Sequence, residues 1–433
     1  MSRAMKDSGI PWIGNIPLEW NIERIKTIFS ERTELSEEGN EDLLSVSEYY
    51  GVDKRAGRVE DGDYISRSES LIGYKKCYKG DFVSNIMLAW KGSLGVTNYD
   101  GVVSPAYCVY KPNKGVCPQY YHYLFRTSLY TGRFKCFSKG IIDSRLRLYS
   151  PYFFDIDAII PPVIEQQAIA DFLDKKCSEI DELIALQEKI IEELKAYKQS
   201  IITEAVTKGL NPNVPMKDSG IEWIGKIPQH WDEVRFYKAN YIRGRLGWKG
   251  LKAEEYVESG FPFLSAFNIV NDNIEWKNLN YINQERFDES PEIKLSVGDL
   301  LVVKDGAGIG KCAKIDHLPM GEATVNSSLA VITPNKHIYY AYQYYYMLSI
   351  PFQNIIWQVK IGMGVPHLTQ ENMRDIKEPC PPYNEQQAIA DYLDKKCSEI
   401  DVIITIKQSK IDELKEYKKS IIYEYVTGKK EVV

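Results

Sequence analysis

Few residues in this chain have the outline of a reactive site. Gly306-Ala307-Gly308-Ile309-Gly310-Lys311 follows a strand-like run and has the look of a phosphate-cradling loop. P-loop spacing would need Gly at position 305 and Ser or Thr at 312, where Asp305 and Cys312 stand. A GxGxxG match fails because Lys311 holds the last position. The glycines are better read as permitting a tight turn and a close backbone approach, as to a DNA phosphate. Cys380-Pro381-Pro382-Tyr383 has the shape of the Asn/Asp-Pro-Pro-Tyr/Phe motif of adenine methyltransferases. The amide or carboxylate that would grip the amino group is missing, and no methyl-donor glycine motif accompanies it. Glu292 and Lys294 with Asp272 can be forced onto a nuclease pattern, a match that arises by chance. The five His (122, 230, 317, 337, 367) show neither metal nor triad spacing. No catalytic constellation and no cofactor or metal site is read in this chain.

Binding chemistry is better represented. Arg126, Arg133, Lys135, Lys139, Arg145 and Arg147 are interleaved with Phe134, Phe137 and Tyr149, the pattern of a phosphate and groove contact surface. The alternative is a solvated charged face. Lys91 adds to this set from the Gly-rich turn Trp90–Gly95. The matching stretch of the second half offers Lys360 and His367, with Arg243, Arg245 and Lys249 earlier and Lys304, Lys311 and Asn326 near its Gly-rich turn. Residues 51–150 carry 16 Lys+Arg against 8 Asp+Glu, a net of +8, although the whole chain is at −6. Residues 233–380 are balanced, 16 against 17, and residues 165–208 lean acidic, 6 against 10. This distribution suits a protein that meets DNA with patches and something else with its helices.

The elements that must position these residues are written twice. EQQAIADFLDKKCSEID at Glu165–Asp181 returns at Glu385–Asp401 with only Phe172/Tyr392 changed. Each copy opens a long helical pattern after a Pro pair, Pro161-Pro162 and Pro381-Pro382. Leu173, Ile180, Leu183, Ile190, Leu194, Tyr197 and Ile201 are spaced as a coiled-coil seam, widened by Ile184 and Ile191. The second copy gives Leu393, Ile400, Ile403, Ile404, Ile411, Leu414, Tyr417 and Ile421, with Lys407 and Lys410 weakening its middle. A rod of about forty residues, roughly 60 Å, needs an apolar partner along its length. The matching helix of the same chain, running antiparallel, is the expected one. A helix folded back on its own globe is the alternative.

The globes share a skeleton. KDSGIPWIGNIPLEW (6–20) and KDSGIEWIGKIPQHW (217–231) place Trp12, Trp20, Trp223 and Trp231 as packing anchors. Gly80-Asp81 and Gly298-Asp299 feed strands, a Gly-rich turn follows, and each half has a strand ending in Pro-Asn-Lys. Tyr-rich helical patches come next, Gln119–Phe125 and Tyr339–Leu348. Their rings read as core with hydroxyls outward, or as base and sugar contacts. Strand-like pieces Phe153–Ile160 and Met373–Lys377 close the globes. Domain limits follow as 1–160, 161–210, 211–380 and 381–433. Similar frames with dissimilar interiors suggest one binding task performed on two targets.

The 433 residues suffice for two or three domains with real cores. No apolar run reaches a membrane span of roughly 18 residues, and MSRAMKDSG is not a signal peptide. The eight Cys lack a CxxC and read as buried or half-buried thiols of a cytoplasmic protein.

With the repeated IP–W starts, Gly-Asp strands and PP-x-x-EQQ-x-IA-x-x-LD helix openings, the sequence resembles the specificity subunit of type I restriction–modification systems over essentially its whole length. The resemblance implies an α+β chain of two target-recognition domains separated by two long helices in an antiparallel coiled coil, with a pseudo-twofold internal repeat. It implies a subunit without catalysis. Each domain would read half of a bipartite double-stranded DNA site, the rod fixing the spacer. The helices would dock two methyltransferase subunits that methylate adenine with S-adenosylmethionine, and a restriction and motor subunit using ATP and Mg2+ could join. No base-reading residue carries over from the family. Two other classes stay open: a scaffold whose Tyr-rich globes bind proteins, and a self-contained enzyme sensitive to a methyl donor or nucleotide.

Overall fold

Successive residues of a strand point to opposite sides of a sheet, and that alternation builds the first globe around two cores. The protein is described here by a computed structural model covering residues 3–54, 70–244, 253–306, 308–360 and 367–432; Arg245 and Lys249 lie outside these residues. The chain divides into two units, Met1–Gln187 with Ser409–Val433, and Glu188–Gln408, so each unit takes part of each long helix.

In the first unit an antiparallel sheet runs in the order Phe29–Arg32, Tyr107–Pro112, Phe82–Asn85, Leu94–Val96. Phe82 and Tyr110 face an aromatic core with Phe125, Tyr130, Phe134 and Phe153. Val83 and Val109 face the opposite way, onto Leu44, Val46, Val52 and Val103. Helices Pro118–Phe125 and Ser128–Phe137 cover the aromatic side. Asp157–Ile160 pairs with Asn21–Arg24 and delivers the chain to the first long helix, Val163–Lys208.

The second unit repeats the plan. Its sheet runs Asn240–Arg243, Leu329–Pro334, Leu300–Val303, Cys312–Lys314. Helices Tyr340–Leu348 and Ile350–Val359 cover one face. Lys377–Cys380 pairs with Asp232–Arg235 and leads into the second long helix, Tyr383–Val426. The closing strands thus start later than the sequence pattern placed them. Phe153 and Met373 belong to short helical turns, Ser150–Phe154 and Gln370–Arg374, that carry them into the core.

The repeated motif is a clasp. Trp20 Nε1 donates to Glu165 at 2.7 Å, and Trp231 Nε1 donates to Glu385 at 2.8 Å. Glu165 and Glu385 sit in the first turn of their helices, where the macrodipole also favours an anion. The next residue, Gln166 or Gln386, is fully buried. Gln166 accepts from Cys117 N and donates to Pro161 O; Gln386 accepts from Tyr339 N and donates to Pro381 O. A buried amide satisfied on both sides pins the helix start to the Tyr-rich segment.

The Tyr-rich helices turn their rings into the cores, with Tyr120, Tyr121, Tyr342, Tyr344, Tyr345 and Tyr346 all buried. Their hydroxyls do not face outward as expected. Tyr120 donates to Val426 O and Tyr342 to Val206 O, holding the last turn of a long helix in each unit. Tyr123 and Tyr345 donate to Asp174 and Asp394, early in the long helices. These rings are therefore not a contact surface for bases or for protein.

In each unit the two helical segments run antiparallel. In the first, Phe172 meets Tyr425 and Asp181 meets Lys418. In the second, Lys198 meets Asp401, and Tyr392 lines a cleft with Ile201 and Ala205. The seam is turned by one residue from the expected phase. Ile184 and Ile191 are buried, whereas Leu183 is 47% exposed and Ile190 half-buried. Tyr197, Tyr417 and Ile403 are also exposed, while Leu173, Ile180, Leu393, Ile400, Ile411 and Ile421 are buried as expected. Leu194, Ile201, Ile404 and Leu414 are half-buried. Cys177 and Cys397 set the phase. Both are buried and act as small hydrophobes between Leu173 and Ile180 and between Leu393 and Ile400. Lys198, Lys407 and Lys418 occupy half-buried inward positions.

Candidate nucleic-acid interface

One end of each sheet gathers the loops. In the first unit, strand Phe82–Asn85 ends where Tyr107–Pro112 begins, with Asn85 opposite Tyr107. Beyond that edge lie the turn Ile86–Gly92 and the turn Ser104–Ala106. A third loop, Ser138–Arg147, is tied to them by Leu148 N donating to Ile86 O at 2.9 Å. In the second unit Val303 is opposite Leu329. Lys304 N donates to Ser328 O, and Leu368 N donates to Lys304 O. The same three connections therefore meet at the same sheet end in both units.

The candidate cations divide sharply at this geometry. Lys91 and Lys135 approach the Trp90 ring, at 5.3 and 4.8 Å, and Lys135 also pairs with Asp143 at 2.8 Å. Lys139 lies over Tyr152, and its backbone is paired with that of Arg147. The Arg145 side chain is exposed and makes no hydrogen bond or ion pair among the described residues. Arg147 donates to the Ser144 and Leu146 carbonyls. Lys91 and Lys135 flank Trp90 and, with Lys139, Arg145 and Arg147 on the adjoining Ser138–Arg147 loop, supply a basic rim at this sheet end.

Arg126 does not belong to it. Its guanidinium is sunk beneath the rim and donates to the carbonyls of Ser47, Glu48, Tyr49, Gly92 and Leu94. It clamps two loops from below, with its donors spent on the fold. Beside it, burial and the Arg126 charge pull the His122 imidazole down to about 3, so His122 is neutral and accepts from Val96 N. Arg133 is held between the rings of Trp12 and Phe137, at 5.3 and 4.5 Å. Arg243 is engaged with Asp299, Thr333 and the carbonyls of Glu292 and Lys294, at the opposite end of its sheet. Arg32 with Asp81 is its counterpart in the first unit.

In the second unit Lys304, Lys311, Asn326 and His367 share the sheet end. The Asn326 side chain accepts from Ser328 N, and His367 pairs with Asp305. Lys360 stands over Trp357, its Nζ 3.2 Å from the ring centre. The Gly-rich turn serves two purposes. Gly310, at φ +89°, leaves room for Gln353, which donates to Gly310 O, so its close approach is internal. Gly306, at φ +82°, has open space where a Cβ would be. Asp272 and Lys294 do not meet: Lys294 pairs with Asp288, and Tyr344 donates to the Asp272 carbonyl.

Sequence reasoning missed the apolar groups at these ends. Ile141 is 99% exposed, Ile142 53%, and Phe267 92%. Phe267 rides a turn capped reciprocally by Ser265 and Asn268, and Ala266 N donates to Ser328 Oγ beside Asn326. The signal available was an apolar doublet between Gly140 and Asp143-Ser144, in a stretch otherwise rich in cations. Among the thiols, Cys136 is exposed rather than buried.

Residues 18–196 and 247–416 match the type I restriction modification DNA specificity domain. The MjaVIII type I restriction enzyme specificity subunit of Methanocaldococcus jannaschii is 28% identical over 280 residues, 64% of this chain and 63% of that protein. Among solved structures, a chain from a study of complex assembly and conformational transition in the type I R-M system superimposes with a TM-score of 0.71 at 14% identity, covering 96% of this chain and 99% of that one. The HsdS subunit from Thermoanaerobacter tengcongensis gives 0.54 at 15% identity, covering 96% and 98%.

Proposed function

The chain belongs to the type I restriction modification DNA specificity family, and on that premise we propose that it is the DNA-reading subunit of a methylation complex. Each unit reads one half of a bipartite duplex site. The long helices dock two methyltransferase subunits and set the spacer between the half-sites. Those partners hold S-adenosylmethionine and methylate adenine; a restriction and motor subunit using ATP and Mg2+ joins where cleavage occurs. This chain contributes recognition and positioning, with no reaction of its own.

The observation that carries this reading is the contrast between frame and tip. The Trp–Glu clasp, the buried Gln, the Tyr-to-helix bonds and the Arg–Asp pairs recur in both units. The sheet ends differ, with a basic rim beside Trp90 in one and Lys304, Lys311 and Asn326 in the other. A frame kept twice with its cation-bearing tips changed suits two different half-sites, since cations hold phosphates and variable groups read bases. Exposed apolar residues on the helices, Leu183 and Leu186 in the first unit and Val402, Ile403 and Ile406 in the second, support docked partners. A protein-binding scaffold built on the Tyr-rich segments gains no support, because those rings are core.

Sequencing methylated adenines in a host that expresses the chain with its neighbouring genes tests the proposal. Two short defined blocks separated by undefined bases are expected. Exchanging the Ser138–Arg147 loop should alter one block only. No new methylated site, or one continuous site, would overturn the reading.

A further inference from the structure

The Ser138–Arg147 loop is a braced finger with an apolar tip. Lys139 and Arg147 exchange two backbone hydrogen bonds at its base, both 2.9 Å. Arg145 N donates to Ile142 O at 2.8 Å, closing a turn within it. Gly140 packs against the Arg145 carbonyl, where a Cβ would come within 2.5 Å. Leu146 and Leu148 anchor the finger in the fold. The two adjacent branched side chains at the tip, Ile141 and Ile142, are nevertheless left in water.

Single exposed apolar residues need no explanation, but this pair is held out on a rigid support. Bracing of this kind reduces the ordering cost of inserting the tip into something. The surroundings say what that is. Lys139, Arg145 and Arg147 flank the tip, and the one carboxylate on the finger, Asp143, is paired with Lys135. An apolar point flanked by cations that pair with no carboxylate among the described residues matches a stack of bases bordered by phosphates, not an apolar protein groove.

We propose that Ile141 and Ile142 form a wedge that enters a base step of the half-site read by the first unit and partly unstacks it, while Lys139 and Arg145 hold the flanking phosphates. This rests on the DNA-reading function proposed above and adds a deformation step to it. Apolar side chains inserted in this way kink the duplex and make the energy of recognition depend on how easily that step opens. Selectivity would then include a preference for a deformable step at the wedge.

The test uses the full chain assembled with its methyltransferase partners, and a duplex oligonucleotide carrying the site mapped by methylation sequencing. 2-Aminopurine is placed at each position of the half-sites in turn. Apart from the target adenines, which the methyltransferases flip out of the stack, binding of the unaltered complex should raise fluorescence several-fold at one step, in the half-site read by the first unit. The Ile141→Ala/Ile142→Ala double variant should lose that signal and bind the site about tenfold more weakly. Its salt slope should be unchanged, since no cation is removed. Ile141→Leu/Ile142→Leu should restore both readouts. A complex that binds the mapped site but brightens no probe other than those at the target adenines overturns the wedge and leaves the DNA-reading function standing. A double variant that binds and brightens like the parent also overturns the wedge, as does one that loses only assembly with its partners. A parent complex without any mapped site removes both readings.

Discussion

Lys198 on the first long helix places its ammonium 2.8 Å from both carboxylate oxygens of Asp401 on the second. The counterpart pair in the other unit is Lys418 with Asp181, at 2.7 Å to both oxygens. Asp181 and Asp401 close the two copies of the repeated motif, and Lys198 and Lys418 lie equally far beyond them. Each helix therefore offers its Asp to the Lys of the other, once in each unit.

These pairs specify register more than they stabilise. Both Asp side chains are more than half exposed, and such pairs contribute about 0–1 kcal/mol. Lys198→Ala or Lys418→Ala should each lower stability by less than about 1 kcal/mol in urea unfolding, and the loss should shrink with salt. A loss several times larger, insensitive to salt, would mean the Lys stems themselves hold the seam.

Leu183 and Ile184 are neighbours with opposite duties. Ile184 is buried and Leu183 exposed, so Ile184→Ala should cost about 2–4 kcal/mol by the cavity it leaves, and Leu183→Ala under about 0.5 kcal/mol. Leu183→Ala should instead weaken assembly with the proposed methyltransferase partners, read by sedimentation of the reconstituted complex. Equal destabilisation by both changes would show that the seam has the phase first read from the sequence.

Glu378 gives the second unit a pH dependence. It is buried between Gln343 Nε2, at 2.8 Å, and Asn240 Nδ2, at 3.3 Å. Burial pushes its carboxyl up to about 8 from an ordinary 4.5, against the pull of those two amides. The native chain keeps a proton that the unfolded chain releases, so stability falls as pH rises from about 4.5 to about 8 and then levels. Glu378→Gln should flatten that slope and raise stability at pH 7 by up to about 3 kcal/mol, at about 1.4 kcal/mol per pH unit. Unfolding curves at pH 5 and pH 8 whose difference is unchanged by the substitution would refute this.

The legible parts of this chain were those fixed by local rules or by copying. Pro pairs before a repeated Glu-Gln-Gln opening set the starts of both long helices, and the duplication identified matching globes. The seam phase is hidden in the sequence because Cys177 and Cys397 read as thiols, whereas in the fold they pack as small apolar residues. The starts of the closing strands are hidden because Phe153 and Met373 look strand-like, although tertiary packing holds them in helical turns. At the candidate interface, sequence supplies charge but not the partner of each donor. Arg126 and Arg145 look alike in a string of letters, and only the fold shows one facing five carbonyls and the other facing water.

That difference separates two kinds of loss among the basic residues. Arg126→Ala removes the guanidinium that bonds the carbonyls of Ser47, Glu48, Tyr49, Gly92 and Leu94, and Gly92 and Leu94 are buried. An unpaired buried polar group costs about 1–3 kcal/mol, so the first unit should lose several kcal/mol of stability. Lys139→Ala and Arg145→Ala remove exposed cations, so thermal unfolding should shift little. On duplex DNA the order reverses. Each of these two changes should reduce the slope of log affinity against log salt by about one, the signature of one lost phosphate contact. Double-stranded oligonucleotide titrations at several salt concentrations, made on the chain with its partners, measure that slope directly. An Arg145→Ala complex with the parent's slope would take Arg145 out of the interface, whatever its effect on overall affinity.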